Sequence, residues 1–67
     1  MEEIDLKIVK LLSLGLSQSD VSNHLKKMGY TPNSLSTIEK RLNKMKKDFK
    51  AKSLFHLALI LKKKKII

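Results

Sequence analysis

Lys40, Asn43, Lys44 and Lys47 are the side chains of this sequence most ready to do chemistry, and that chemistry is hydrogen-bond donation to an acceptor-rich or anionic surface. They lie in SLSTIEKRLNKMKKDFK, residues 34–50, together with Arg41, Lys46 and Lys50. In the same segment Ile38, Leu42, Met45 and Phe49 recur at steps of four, three and four. That is the one-face pattern of an amphipathic α-helix. At about 100° per residue, the side opposite the apolar stripe carries Ser36, Lys40, Asn43 and Lys47, with Thr37 and Lys44 on one shoulder. The helix is expected to bury one face and present the other, polar and basic, to its surroundings. Two readings of that face stay open on this segment alone: a solvated surface, since lysine is common on exposed helices, or a face offered to a polyanion.

No catalytic arrangement stands beside it. The chain shows no nucleophile–base pair, no paired carboxylates in an apolar setting and no glycine-rich phosphate cradle, so no enzyme is expected. Cysteine is absent, which excludes disulfides and thiolate metal sites. His24 and His56 are far apart and lack carboxylates at metal-ligand spacing, and no cofactor or small-molecule substrate is expected.

The elements that must position the basic face read as four helices, about 2–14, 17–28, 34–50 and 53–64, an all-α domain spanning 1–67. In the first, Ile4, Ile8, Leu11 and Leu12 form the buried stripe with Val9 beside it, and Gly15 ends it as a left-handed residue. Ser17 is a natural N-cap of the second, with Asp20 three residues on as a weaker capping box. Val21, Leu25 and Met28 form its stripe, and Gly29 ends it. GYTPN, residues 29–33, is the strongest breaker in the chain, leading either to an open loop or to an extra turn of the second helix. Ser34 caps the third helix and Ser53 the fourth. The fourth reads LFHLALIL, with Leu54, Leu57, Ala58 and Leu61 on one stripe and Phe55, Leu59 and Ile60 elsewhere. Either the other helices wrap it or part of it marks a partner surface. Lys62 to Lys65 reads as a frayed basic tail.

A chain of 67 residues buries only about 60% of the surface exposed by its unfolded form. Its formal net charge is +9, from fifteen Lys and Arg against six Asp and Glu. Such a balance points to a polyanionic partner: nucleic acid, an anionic membrane or an acidic protein. The start, Met1-Glu2-Glu3, is acidic rather than basic, unlike a signal peptide. No apolar run approaches the roughly 18 residues of a membrane span. A cytoplasmic location is the expectation.

The order of these features resembles a known family. IVKLLSLGLSQSDVSNHL, residues 8–25, is similar to the start of the LuxR/FixJ-type (GerE-like) helix-turn-helix domain, with Ile8, Val9, Leu11, Leu12, Gly15, Ser17, Asp20, Val21 and Leu25 in register. SLSTIEKRLNKM resembles the start of that family's recognition helix through Ser34, Thr37, Ile38 and Met45. The resemblance spans essentially the whole chain. The segment from Leu25 to Ser34 is longer than the family's by about six residues, and Glu39, Arg41, Lys50 and Leu54 depart from its common residues. The resemblance implies a four-helix domain with an extended turn, sequence-specific binding to double-stranded DNA, and a role as the output domain of a two-component response regulator with a receiver domain before it.

It also implies base contacts at the positions of Glu39, Lys40 and Asn43. The helical wheel independently sets Lys40 and Asn43 opposite the buried stripe. Lys40 could donate to guanine O6 or N7, and Asn43 could pair with adenine. Glu39 could accept from cytosine N4 or simply belong to the first turn without touching a base. Phosphate contacts are expected from Ser17, Gln18 and Ser19 at the start of the second helix, and from Ser36, Thr37, Lys44 and Lys47. A solvated surface charge is the other reading for each lysine. Phe55, Leu59 and His56 are the candidates for a homodimer contact through the fourth helix on DNA. The competing function is a basic helical module that docks acidic proteins or lies on anionic membranes.

Overall fold

The first amides of a helix have no intrahelical acceptor, so a side chain must supply one. In the computed structural model, which describes residues 1–67, four α-helices form and no strand: α1 Glu3–Ser13, α2 Gln18–Lys27, α3 Leu35–Asp48 and α4 Leu54–Lys63. Ser17 Oγ accepts from Asp20 N–H at 3.1 Å, and Ser17 N–H donates to Asp20 Oδ2 at 3.1 Å, so the capping box forms with Asp in place of Glu. Ser34 Oγ accepts from Thr37 N–H at 3.3 Å. Ser53 Oγ accepts from His56 N–H at 3.0 Å. At α1 the carboxylate of Asp5 accepts from Glu2 N–H at 3.1 Å. Replacing such a cap with alanine typically costs about 0.5–2 kcal/mol.

All four helices end in one way. The chain turns left-handed and closes two backbone bonds onto the last turn, the Schellman arrangement. In α1, Leu16 N–H reaches Leu11 O; in α2, Tyr30 N–H reaches Leu25 O; in α3, Ala51 N–H reaches Lys46 O; in α4, Ile66 N–H reaches Leu61 O. The left-handed residues are Gly15 and Gly29 at the first two ends, with φ of 96° and 76°. At the last two they are Lys50 and Lys65, with φ of 55° and 59°, where a Cβ crowds the backbone.

The core takes residues from every helix: Ile8 and Val9, Val21 and Leu25, Ile38, Leu42 and Met45, Leu57 and Leu61. Each large side chain fully buried there contributes about 1.5–3 kcal/mol of transfer free energy. Ile4, Leu11, Leu12, Leu16, Phe49 and Leu54 pack half-buried around them. The whole measures 29 × 19 × 19 Å.

Three expectations change. Met28 is 58% exposed rather than part of α2's stripe. It is still on the helical path, with its N–H donating to His24 O at 3.0 Å, and the chain turns away only at Gly29, so Met28 lies at the very end of α2, where the core no longer covers it. The 29–33 segment neither prolongs α2 nor hangs open. Ser22 Oγ donates to Asn33 O at 2.6 Å, and Asn33 Nδ2 donates to Tyr30 O at 2.9 Å, which ties the turn to α2. Nor is Lys62–Lys65 a frayed tail. Lys62 and Lys63 belong to α4, and the turn at Lys65 folds Ile66 and Ile67 back against the core. Burial of two isoleucines supplies the reason for the order.

Candidate nucleic-acid interface

The apolar stripe of α3 sets the orientation of everything else on it. Ile38, Leu42 and Met45 are inside, so Ser36, Glu39, Lys40, Asn43, Lys44 and Lys47 are exposed. Lys40 and Asn43 therefore stand on the outer face, as the wheel requires. Lys40, Lys46, Lys47 and Lys50 make no ion pair with any carboxylate. Their charge is available to an outside anion.

Lys44 is different. Its Nζ sits 2.9 Å from Asp48 Oδ2, one turn on along α3. The hydrogen bond to Asp48, followed by its charge, raises the Lys44 pKa above the ordinary lysine value. A raised pKa means that the pair's contribution is complete below the unfolded lysine value and fades only as pH climbs through the folded one. Lys44 thus stays charged at neutral pH, but a phosphate must compete with Asp48 for it.

Arg41 lies on the inner shoulder. Its Nη1 donates to Asp5 Oδ1 at 2.9 Å, and its Nη2 lies 3.2 Å from Glu2 Oε2, joining α3 to the start of α1. The hydrogen bond to Asp5 leads the causes that raise its pKa, opposed by desolvation. The Asp5 side chain is only 12% exposed. Sequence reasoning missed this pair. Its signal was an aspartate inside α1's apolar pattern, next to Ile4.

Two depressions meet at Asn43. One, about 240 Å³, is lined by Gln18, Glu39, Leu42, Asn43, Lys46 and Leu54, where the start of α2 reaches the middle of α3. The other, about 300 Å³ and shallower, is lined by Asn43, Lys44 and Lys47. The fold thus brings Gln18 beside Glu39 and Asn43. Gln18 Oε1 is the one buried side-chain polar atom without a hydrogen-bond partner. Lys46 joins this cleft although it was not expected there; lying four residues beyond Leu42, it was hidden on the edge of the apolar stripe.

The other expected contacts are spread around this centre. Ser17 is committed to its cap, while Ser19 is exposed on the first turn of α2. Ser36 is exposed on the first turn of α3. Thr37 is half-buried, with Oγ1 accepting from Ser34 Oγ at 2.8 Å. Neither Ser19 nor Ser36 is tied down by a side-chain hydrogen bond, and the third amide of each helix, Asp20 N–H and Thr37 N–H, is taken by its serine cap.

On α4, Phe55 and Leu59 are 76% and 51% exposed. They share an apolar groove of about 500 Å³ with Leu12, Leu54, Ala58 and Ile67. His56 does not line it. Its Nδ1 accepts from Lys52 N–H at 3.0 Å and its backbone N–H donates to Ser53 Oγ at 3.0 Å, so it takes part in the α4 cap. No helix is long and apolar enough to cross a membrane. No protein-family model, no curated protein and no solved structure matches this chain.

Proposed function

We propose that this protein binds double-stranded DNA sequence-specifically as a transcriptional regulator of helix-turn-helix type, with α3 in the major groove. The observation that carries the reading is the outer face of α3. It is rigidly backed by Ile38, Leu42 and Met45 and presents Lys40, Asn43 and Lys47 with no internal partner. A helix presented in this way fits the major groove, where donors meet guanine and adenine edges. Lys40 reads guanine, Asn43 reads adenine, and Glu39 stands at the same cleft to accept from cytosine. Gln18, whose Oε1 lacks a donor, sits beside them at the start of α2. Phosphates are met by Ser19, Ser36, Thr37, Lys44 and Lys47, while Ser17 holds the cap that positions Ser19. The resemblance to LuxR/FixJ-type domains extends the reading to the output domain of a cytoplasmic two-component response regulator. Phe55 and Leu59 on α4 then supply the contact between two copies on a two-fold site.

Duplex binding followed by fluorescence anisotropy over a salt series tests this. Affinity should fall steeply with salt, and Lys40→Ala and Asn43→Ala should each weaken binding, by about 1–3 kcal/mol where a base contact is lost. Binding that ignores salt, or that both variants leave intact, refutes the assignment of α3. The second reading is a surface binder of anionic membranes, favoured by Phe55 and Leu59 exposed beside Lys62. Tight binding to anionic vesicles with none to duplex DNA would put it first.

A further inference from the structure

A second groove lies away from α3, between the outer side of α1 and the last turn of α2. It encloses about 330 Å³, and no residue of α3 or α4 lines it. Its apolar part includes Leu14, Met28 and Tyr30, which are 75%, 58% and 38% exposed. Its rim carries Lys7, Lys10 and His24, and no carboxylate lines it. Tyr30 is held firmly. Its N–H donates to Leu25 O at 2.9 Å, its carbonyl accepts from Asn33 Nδ2, and Lys7 Nζ stands 4.4 Å from the centre of its ring. Its backbone is thus fixed at two points and one face of its ring is covered by Lys7, which limits the freedom lost when something docks against it.

We infer that this groove docks an acidic amphipathic segment of a partner protein, with apolar side chains against Leu14 and Met28 and carboxylates toward Lys7 and Lys10. Charge and shape select that occupant. A second copy seated groove to groove would bring the same cationic rim of Lys7, Lys10 and His24 against this one. Nucleic acid would leave the leucine and methionine surface without apolar cover, and the Tyr30 face on which a base would stack is taken by Lys7. An apolar floor with a cationic rim is matched by an acidic helix laid in a groove. The surface shares no residue with the α3 face, so the inference does not depend on the DNA reading.

The test uses a synthetic helical peptide about four turns long, leucines along one face and glutamates on both flanks. A second peptide carries lysines in place of the glutamates. Calorimetry measures affinity and amide chemical shifts locate the contact on the whole chain. The acidic peptide should bind and shift Leu14, Met28 and Tyr30, and the lysine peptide should not bind. Lys10→Glu and Leu14→Ser should each weaken it by about tenfold. Both sites are exposed, so the fold persists, and unchanged thermal unfolding checks that. Shifts confined to the α3 face or to Phe55 and Leu59 would overturn the inference. So would equal affinity in Leu14→Ser, or Leu14-dependent binding to phosphatidylglycerol vesicles tighter than binding to the peptide.

Discussion

α3 and α4 are built alike and turned to different ends. Each starts on a serine cap, Ser34 or Ser53, and each ends on a left-handed lysine, Lys50 or Lys65. Each sends large aliphatic side chains into one core, Ile38 and Leu42 from α3, Leu57 and Leu61 from α4. What they leave outside differs. α3 exposes Lys40, Asn43 and Lys47; α4 exposes Phe55 and Leu59. The inner stripes place both helices by the same non-directional force, so they say little about partners. The outer faces carry no weight in the core and are free to specify an anion in one case and an apolar surface in the other.

The largest effects should show how alike the inner stripes are. Leu42→Ala and Leu57→Ala, each at a side chain 1% exposed, should each cost about 2–5 kcal/mol in denaturant unfolding. A loss in only one of them would break the symmetry between the helices.

The outer faces should then separate cleanly. The double variant Lys40→Ala, Asn43→Ala should lose DNA affinity by well over tenfold, with the salt slope smaller by about one unit for the lost lysine if it meets a phosphate. Its unfolding midpoint should barely move. Phe55→Ser with Leu59→Ser should leave half-site binding intact and abolish two-copy binding to a two-fold site, read by analytical ultracentrifugation on DNA. Exchange of these outcomes between the two variants would sink the division of labour.

A smaller effect concerns the side of α3 that is neither core nor outer face. Arg41→Met should cost about 1–2 kcal/mol, since it strips a nearly buried Asp5 of its cation while the exposed Glu2 adds little. No change would mean that Asp5 is satisfied by Glu2 N–H alone.

Two more substitutions sharpen the comparison. Asp48→Asn should free Lys44 and strengthen DNA binding by about two- to threefold, with no counterpart on α4. Lys50→Gly and Lys65→Gly should both stabilise, by up to about 1 kcal/mol each, because relief of the same left-handed strain outweighs the extra chain entropy of glycine. Thermal unfolding reads both, and opposite signs would show that one of the two turns does more than end a helix.

Much of the architecture was written locally. Apolar steps of three and four, serines before helices and glycines after them act within a turn or two of chain, and Ser17, Ser34, Ser53, Gly15 and Gly29 do in the fold what their positions promise. Exposure of Lys40 and Asn43 was likewise legible, because an inward stripe on a helix dictates its outward one. Met28, Lys46 and His56 were not. Met28 depends on how far along α2 the core extends, Lys46 on which neighbour closes the edge of the stripe, and His56 on a cap bond to Lys52.

By itself the sequence determined that this chain is helical, where each helix begins, and which side of α3 is polar and basic, since these follow from short-range hydrogen bonding and helical periodicity. Tertiary structure alone decided that Arg41 reaches Asp5 across 36 positions, that Gln18 and Asn43 line one cleft, that Ser22 ties down the turn at Asn33, and that Ile66 and Ile67 return to the core. Those contacts join residues distant in the chain, and only the packing of all four helices around one interior determines which of them come within reach.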